Sequence, residues 1–546
     1  MRPIDQTTIK RIGKIPGVLA DLGFSKLRDH QATPIQRSIQ EQDQFVVLPT
    51  GGGKSLVYIV PTLCCEFHTL IFSPLVALIK DQLESLLKKG CRAAAISTLY
   101  EDGENARALR DWSMGELDFL LVAPERLENE AFLRAMRTQA PDCVVVDEIH
   151  VASEHAFNFR PSYRKIAPFI CELNPKVFLG LTATMPENVE GDLRLIFNAQ
   201  DTIKTVSYYS RTNLKMESRP WRSDYDLLAE LNKTEGSTIV YFSTVNHLED
   251  AYRSIGKQIK GNACIFHGRL SKGIKDTNQN MFMDGSVKVV FATNSFGMGV
   301  DKENIRSVIY ADIPGSIEEL SQGFGRGGRD GKDCKCIFFW NEATLDTQKF
   351  FIEIGFPSRV NVSAFYNAVK SRLNSDGLCD LRLGDLCYVA NINPMYSQAV
   401  SAILMGEGVL ERVKLEKPLR VKPVKEAKTG ATQKTMRSLV DLGVRNESDG
   451  FYEIDKDFLA DQLGVNVGTL SRNLKNLEKQ QCILLEDPGN TASLKPVKEL
   501  HAVDFKKLDQ RRADAFTRLK QVAEFYRLDD SGKHPYLTEY FKNDGK

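Results

Sequence analysis

The sequence predicts an α/β protein with two successive parallel-sheet lobes, followed by a mainly helical C-terminal region. Through about the first 350 residues, short apolar runs alternate with stretches of helical spacing, which is typical of parallel strands covered by helices on both faces. Most polar residues of chemical interest directly follow an apolar run, and the carboxyl ends of parallel strands meet at one edge of the sheet. Beyond that point, short helices separated by turns dominate the pattern.

The composition is that of an ordinary globular protein with several domains. The chain has 546 residues, of which 42% are hydrophobic and 26% are charged, and this length divides into about three or four domains. The net charge of +1 gives no overall attraction to nucleic acid, so such a partner has to be held by local basic patches. No apolar run approaches the roughly 20 residues of a membrane span, and the N-terminus has no signal-peptide core, so we expect a soluble, intracellular protein.

The 11 cysteines indicate reduced thiols rather than a disulfide framework. Their odd number leaves at least one unpaired, and no two cysteines have the CxxC spacing of a structural zinc site. We therefore do not expect bound zinc.

A glycine-rich stretch in the first lobe predicts a phosphate-binding loop. It follows the apolar run 45–47 and precedes the helical stretch 56–60, so phosphate oxygens would meet backbone N–H groups at a helix N-terminus. Lys54 would reach the terminal phosphates and Ser55 would hold Mg²⁺. Leu48 stands where the first glycine of the GxxxxGK[ST] pattern should be, and the alternative is a glycine-rich turn with a surface lysine. The predicted nucleotide contacts of this loop are Thr50, Gly51, Gly52, Gly53, Lys54 and Ser55.

A polar set just upstream of this loop is the candidate for binding the base of the nucleotide. Gln31 offers both a donor and an acceptor to an adenine edge, Phe24 offers a stacking face, and Arg28 lies between them in sequence. The alternative is an ordinary helix and loop with exposed polar residues.

Two carboxylates, Asp147 and Glu148, directly follow the apolar run 143–146. Unpaired carboxylates in such surroundings are costly, so they need a cation or a water molecule to bind. We interpret Asp147 as a Mg²⁺ ligand, direct or through water, and Glu148 as the group that orients or deprotonates an attacking water. An acidic turn that caps a helix is the alternative. His150 is either a core histidine or a relay toward the other lobe.

The second lobe carries two further loops with a predicted role. The small-residue loop 292–302 would let a nucleic-acid backbone approach closely, with Thr293 and Asn294 as its polar contacts, unless it is a simple turn. In the segment 322–331, Arg326 and Arg329 are three residues apart, on one side of a helical turn, and can address one phosphoryl group together. The same segment supplies Gln322 as a further nucleotide contact; a basic loop that binds nucleic acid or nothing is the alternative.

These segments occur in the order seen in superfamily-two helicases, and in detail they resemble RecQ-type DNA helicases. The resemblance covers about the first 345 residues and rests on Gln31, TGGGKS at 50–55, SPLVALIKDQ at 73–82, VAPERL at 122–127, DEIH at 147–150, FRPSY at 159–163 and LTAT at 181–184. It implies two RecA-like lobes and an ATP- and Mg²⁺-dependent helicase that moves 3′ to 5′ and unwinds DNA in repair or recombination. It also implies that ATP closes a cleft in which Lys54 and Glu148 meet Arg329.

The resemblance also implies DNA contacts in the first lobe, at Ser73, Pro74 and Lys80. The family usually carries an aromatic-rich loop with a tryptophan after the DEIH segment, and here that tryptophan is replaced by His155. His155, Phe157 and Phe159 still offer stacking faces for bases, beside Arg160, although the two phenylalanines alternatively pack in the core.

The C-terminal third departs from the family, which generally continues into a four-cysteine zinc module that this sequence lacks. A helix-turn-helix pattern at 458–480 predicts a winged-helix unit with a wing hairpin at 487–490, and a similar pattern at 383–413 predicts a second unit in tandem. In the helix-turn-helix at 458–480, Arg472 and Lys475 are the predicted DNA contacts. The lysine-rich run 412–437 adds a local positive charge. Alternatively, the lysine-rich run is a solvated linker, and the winged-helix units are a module that docks another protein.

The predicted domains are lobes at 1–205 and 206–350, a linker at 351–372, winged-helix units at 373–425 and 426–500, and a helical tail at 501–546. The expected partner is DNA, single-stranded and as branched or tailed duplex, with no membrane partner. We expect the protein in the cytoplasm, or in the nucleus of a eukaryote. Two other functions fit the sequence: a translocase or remodeller that moves on duplex DNA without separating it, and a DNA-binding regulator that acts through the winged helices.

Overall fold

The computed structural model describes residues 5–48, 51–74, 76–97, 100, 102–153, 161–206, 211–260, 262–296, 302–414, 419–425, 430–445, 449–463, 465, 467–486 and 492–542. The chain forms two compact units, one of Met1–Phe351 with Ala513–Lys546 and the other of Ile352–Arg512. Across the described ranges, no helix has the length and apolar character needed to cross a membrane.

The first lobe is built on a seven-stranded parallel sheet. Its strands are β1 (Gln44–Val47), β2 (Thr69–Phe72), β3 (Ala93–Ile96), β4 (Phe119–Val122), β5 (Cys143–Val146), β6 (Val177–Thr182) and β7 (Ile203–Val206). They lie in the order β3-β4-β2-β5-β6-β1-β7. Every residue of β1, β2, β4, β5 and β6 is buried, as expected for strands covered on both faces.

Among the described residues of this lobe, α-helices cover the two faces of the sheet. They are α1 (Gln6–Gly13), α2 (Ile15–Asp21), α3 (Asp29–Ile39), α4 (Leu56–Cys65), α5 (Val76–Lys88), α6 (Asp102–Ser113), α7 (Glu130–Thr138), α8 (Ile166–Leu173) and α9 (Glu187–Ile196). The side chains of β1 to β6 alternate between a core beneath α6, α7 and α8 and a second core beneath α3, α4 and α5. The register pairs Phe72 with Val146 and Val47 with Thr182, so the loops after these strands share one edge.

The second lobe repeats this plan with six parallel strands. These are β8 (Leu214–Pro220), β9 (Ser237–Tyr241), β10 (Ala263–Phe266), β11 (Val289–Ala292), β12 (Ile305–Tyr310) and β13 (Cys334–Trp340), in the order β10-β11-β9-β12-β13-β8. Its helices are α10 (Asp224–Lys233), α11 (Val245–Ile255), α12 (Lys272–Asp284), α13 (Ile317–Phe324) and α14 (Glu342–Gly355). The two predicted parallel-sheet lobes are thereby confirmed.

The second unit contains two sets of elements, one inserted within the other. The outer set is α15 (Arg359–Lys370), α16 (Leu383–Val389), α17 (Ser397–Gly406), β14 (Leu410–Lys414) and β19 (Ala492–Pro496). The inner set is β15 (Leu419–Pro423), α18 (Gly430–Leu442), β16 (Val444–Arg445), β17 (Tyr452–Ile454), α19 (Lys456–Leu463), α20 (Val467–Lys479) and β18 (Ile483–Glu486). Each set surrounds its own hydrophobic core.

This strand pairing differs from the predicted tandem order of units divided at residues 425 and 426. β14 pairs antiparallel with β19, whereas β18 pairs with β15, so the strands on either side of the predicted wing belong to different sheets. Residues 487–490, where we predicted the hairpin turn, lie outside the described residues. The predicted linker at 351–372 contains α15, whose N-cap Ser358 accepts a hydrogen bond from the backbone of Asn361. The winged-helix assignment stays a prediction.

Two last helices, α21 (Phe505–Arg527) and α22 (Asp530–Lys542), return the chain to the first unit. The rings of Phe525 and Tyr526 lie 5.4 and 5.5 Å, between centroids, from the buried ring of Phe338 on β13. The Tyr540 hydroxyl donates a hydrogen bond of 2.8 Å to a carboxylate oxygen of Glu318 on α13. The helical tail therefore packs on the second lobe.

Candidate active site

The predicted phosphate loop connects β1 to α4, and its backbone conformation requires glycine. Gly51 and Gly53 both have φ of +78°, and a Cβ on Gly53 would lie 2.2 Å from Nε2 of Gln31. Lys54 and Ser55 directly precede the first residue of α4, so phosphate bound here would face a helix N-terminus. Thr50, also predicted in this loop, lies outside the described residues.

Side chains from the start of α3 bind the carbonyl oxygens of this loop. Arg28 donates to the Gly51 carbonyl at 2.7 Å, and His30 donates from Nε2 to the Gly52 carbonyl at 2.8 Å. Gln31 donates to the Gly52 and Gly53 carbonyls at 3.3 and 3.2 Å, and its side-chain oxygen accepts from the Arg28 amide. The predicted base-binding residues Arg28 and Gln31 thus brace the phosphate loop here. Phe24 is 37% exposed, and its contact with a base stays a prediction.

The two carboxylates after β5 are in different environments. Lys54 Nζ lies 3.2 Å from Oε1 of Glu148, and Gln82 on α5 donates a hydrogen bond of 2.7 Å to Asp147. Burial, with the adjacent Glu148 charge, raises the pKa of Asp147 to about 6. Burial also acts to raise the pKa of Glu148, but the charges of Lys54 and His150 outweigh it and hold that pKa below its usual value. Glu148 is therefore ionised at neutral pH.

His150 links Glu148 to the segment that ends β6. Its Nδ1 lies 2.9 Å from the Thr182 hydroxyl and 3.3 Å from Oε2 of Glu148. The Thr182 hydroxyl donates to the Thr184 carbonyl, so its single proton is used and it must accept from His150 Nδ1–H. This contact joins the predicted segments 147–150 and 181–184, and a relay role of His150 toward the other lobe stays a prediction.

The predicted arginine segment follows α13. The helix begins after Ser316, whose hydroxyl accepts the Glu319 amide, and the chain then turns through Gly325, Gly327 and Gly328. Added Cβ atoms at Gly327 and Gly328 would lie 2.3 Å from Cys334 Sγ and 2.5 Å from the Lys332 carbonyl. The turn is therefore closely packed. It places Arg326, which is 6% exposed, beside Tyr241.

One cavity of about 380 Å³ brings the two halves of the site together. The first lobe contributes the phosphate loop, the two carboxylates and Gln82; the second contributes Gln322, Arg326 and Arg329. A Cβ on Gly51 would lie 3.5 Å from the Gly325 carbonyl, so the phosphate loop and the arginine turn are adjacent. The arrangement is suited to phosphoryl transfer, because a lysine, two arginines and an ionised carboxylate line the same cavity.

Sequence reasoning missed three residues of this site. Gln82 binds Asp147, Tyr241 contacts Arg326, and Arg211 donates to the carbonyls of Gly325, Gly327 and Gly328 at 2.8, 2.5 and 2.5 Å. Gln82 lies in the SPLVALIKDQ segment and could have been found there. The contact of Arg211 follows from the register of β8 with β13, which the sequence does not show.

The predicted nucleic-acid contacts are spread over several elements. Ser73 is fully buried at the end of β2, Lys80 is exposed on α5, and Asn294 is exposed in the loop after β11. Pro74 lines the cavity, and Thr293 precedes Asn294. Arg472 and Lys475 are both exposed on α20, in the other unit. His155, Phe157, Phe159 and Arg160 lie outside the described residues.

Comparison with known proteins decides the family. The DEAD/DEAH box helicase family matches residues 28–191, and the helicase conserved C-terminal domain matches residues 223–331. The probable ATP-dependent DNA helicase RecS of Bacillus subtilis is 31% identical over 337 residues, which cover 61% of this chain and 68% of that protein. The ATP-dependent DNA helicase RecQ of the same organism is 32% identical over 335 residues. The chain belongs to the RecQ-type helicases of superfamily two.

The matches to RecQ proteins extend over little more than half of those proteins. The alignment with Bacillus subtilis RecQ covers 61% of this chain and 56% of that protein. Haemophilus influenzae RecQ is 29% identical over 358 residues, which cover 64% of this chain and 58% of that protein. A crystal structure of the DUF1998 helicase MrfA bound to DNA and AMPPNP has a similar fold, with a TM-score of 0.50 at 19% identity, covering 63% of this chain and 52% of that one.

Proposed function

We propose that this RecQ-type protein is an ATP-dependent DNA helicase, which couples ATP hydrolysis to 3′ to 5′ movement and unwinding of duplex DNA. The observation that carries the proposal is the cavity lined from one lobe by Lys54 and Glu148 and from the other by Arg326 and Arg329. A site divided between two lobes is complete only when they are together, so hydrolysis becomes linked to their relative movement.

Each charged group has a defined task in this proposal. Lys54 binds the terminal phosphates, and its ion pair with Glu148 at 3.2 Å keeps that carboxylate ionised before the nucleotide arrives. Glu148 then orients or deprotonates the attacking water, and His150 Nδ1 lies 3.3 Å from its second oxygen. Arg326 and Arg329 stabilise the negative charge that develops on the transferred phosphoryl group, an effect of about 10³- to 10⁵-fold in related phosphoryl transfers.

The residues present also fit a Mg²⁺ ion bound with the nucleotide. Ser55 and Asp147 line the same cavity and offer hydroxyl and carboxylate oxygens, the ligands that Mg²⁺ prefers, and burial leaves Asp147 in need of a cation. Mg²⁺ would neutralise phosphate charge there. Within the described ranges, no group of three or more His, Cys, Asp and Glu side chains is placed to hold a metal ion by itself.

Exposed polar groups in both units support DNA as the partner. In the first unit these are Lys80 and Asn294, from different lobes. In the second unit, α20 buries Leu470, Leu474 and Leu477 and exposes a stripe of polar residues at helical spacing, formed by Arg472, Lys475, Asn476 and Lys479. Such a stripe suits a phosphate backbone or a major groove. We propose single-stranded and tailed or branched duplex DNA as substrates, inside the cell, in repair or recombination.

Two substitutions test the catalytic part of the proposal. Lys54→Ala removes the phosphate-binding charge, and Glu148→Gln removes the charge that activates water but keeps its shape. Both are expected to abolish DNA-stimulated ATP hydrolysis in a folded protein. The exposed residues Lys26 and Glu130 provide matched controls as Lys26→Ala and Glu130→Gln. Undiminished turnover in both active-site variants would refute the mechanism.

Strand-displacement assays test the rest of the proposal. Unwinding of 3′-tailed duplexes, without unwinding of 5′-tailed or blunt ones, is the expected result. ATP consumption on blunt duplex without unwinding would instead identify a translocase. Tight, sequence-specific binding without ATP would identify a regulator, for which the polar stripe on α20 is the supporting feature.

A further inference from the structure

Tyr241 joins an exposed loop of the second lobe to an arginine of the active site. It is the last residue of β9 and is 3% exposed. Its hydroxyl donates a hydrogen bond of 3.1 Å to the Phe296 carbonyl, and its phenol lies next to the Arg326 side chain, with which it interacts electrostatically. Because the single phenolic proton goes to the carbonyl, the phenolic oxygen can act toward Arg326 only as an acceptor.

Strand register explains this position. Tyr241 pairs with Ala292 of β11 on one side and with Tyr310 of β12 on the other. The loop 293–296 begins directly after Ala292, so its carbonyl groups pass over the end of β9. On the other side, the Tyr310 hydroxyl lies 3.0 and 3.2 Å from the carbonyl oxygens of Glu319 and Leu320 on α13, which share its single proton. The two tyrosine rings, 5.1 Å apart, thus lie between the loop and the helix.

The loop 293–296 is exposed at one end and anchored at the other. Asn294 and Ser295 face solvent, whereas the Phe296 ring is 1% exposed and packs 4.8 Å, between centroids, from the ring of Phe266. The Phe296 amide donates to the Thr293 carbonyl at 2.9 Å, closing the turn. A ligand bound at Asn294 and Ser295 therefore acts on a short, closed turn whose last carbonyl contacts Tyr241.

A second contact runs in parallel. The Asn294 side chain donates to a carboxylate oxygen of Glu319 on α13, and the other oxygen accepts from the Gly315 amide at 2.8 Å. Burial raises the pKa of Glu319 to about 7, against the lowering effect of that amide. The helix that leads to Arg326 is thus attached to the same loop through Glu319.

We infer that Tyr241 is a positioning residue, which makes the orientation of Arg326 depend on whether nucleic acid occupies the loop 293–296. The inference rests on the proposed function, because that function supplies DNA as the occupant. Arg326 is buried, and its Nε has no hydrogen-bond partner among the described residues, so the phenol is an important constraint on the guanidinium. Without the Tyr241 hydroxyl, the Arg326 guanidinium is still present, but its orientation is less well defined.

The test compares Tyr241→Phe with Tyr252→Phe in the full chain. Both remove one phenolic oxygen from the second lobe, and the control hydroxyl donates to the Ala263 carbonyl at 3.0 Å. We expect Tyr241→Phe to lower the oligonucleotide-stimulated kcat about tenfold, which corresponds to the loss of one hydrogen bond to a charged group. The KM for ATP and the oligonucleotide affinity should each change by less than about twofold. Tyr252→Phe is expected to match the wild type.

Glu319 provides a second pair of variants. Glu319→Ala breaks the parallel contact and should lower the stimulated kcat, whereas Glu319→Gln can keep it if the Asn294 amide turns over, and should restore it. Thermal unfolding verifies that each variant is folded. Wild-type stimulation in Tyr241→Phe would overturn the inference and leave the helicase proposal standing, as would an equal loss of oligonucleotide affinity. A wild-type protein whose ATP hydrolysis does not respond to oligonucleotide would overturn both.

Discussion

Arg211 offers a sharp test of how the active site is held together. Its guanidinium donates to three carbonyl oxygens of the turn at 325–328, at 2.8, 2.5 and 2.5 Å, and it also lies next to the phosphate loop at Gly51. The substitution Arg211→Ala removes all three bonds. Each bond from a charged donor contributes about 1.5 kcal/mol or more, but water from the cleft can replace part of it. We expect a net loss of about 2 kcal/mol in positioning Arg326 and Arg329, or roughly 30-fold in kcat.

The assay measures kcat and KM for ATP at saturating oligonucleotide. Because Arg211 touches the turn rather than the nucleotide, kcat should fall more than KM rises. Arg211→Lys can restore one of the three bonds and should recover part of the rate, and the exposed Arg222 supplies a control as Arg222→Ala. A kcat in Arg211→Ala equal to that of the wild type would refute the reasoning.

Two further predictions follow from the local geometry. Gly53→Ala is expected to weaken nucleotide binding at least tenfold, because the added Cβ would displace Gln31 and because the φ of +78° at this position is strained for alanine. Calorimetry of ATP binding measures the loss. Gly103→Ala is the control, since a Cβ at Gly103 would meet nothing within 4 Å. The pKa of His247 is lowered by burial but raised more strongly by Asp312, at 2.8 Å, so it stands above its usual 6.5. The contribution of this ion pair to the stability of the second lobe is complete below about pH 6.5. It is lost as the pH rises through the raised pKa of His247. The difference in thermal unfolding between wild type and His247→Gln should therefore shrink from pH 5.5 to pH 8.5, and a constant difference would contradict the assignment.

The chemical groups of the site could be predicted from the sequence because each lies at a strand end or next to a glycine-rich turn. Lys54 and Glu148 are 94 positions apart, yet each follows a buried apolar run, and the parallel sheet brings such ends to one edge. The two arginines were predicted from their spacing together with the strand and helix pattern of the lobe that precedes them. The resemblance to RecQ-type helicases then joined the two lobes into one site before any contact was known.

The remaining features depend on pairings that no local pattern contains. The insertion of β15 to β18 between β14 and β19 results from strands about 80 residues apart pairing in register, from Leu410 with Pro496 to Lys414 with Ala492. Periodicity indicates that each strand exists but does not choose its partner. The contacts of Gln31 with the phosphate loop could not be predicted for a similar reason, since its amide reaches glycine carbonyls 21 and 22 positions away.

Both halves of the active site are supported in the same physical way. A glycine-rich turn lets phosphate approach, but it has no side chains of its own to fix its shape, so its carbonyl oxygens are the groups that the rest of the protein can hold. In the first lobe, Arg28, His30 and Gln31 bind the carbonyls of residues 51–53. In the second lobe, Arg211 and Asn213 bind those of residues 325–328. Because these donors neutralise carbonyl dipoles that would repel phosphate, they stabilise the turns and favour the bound anion together.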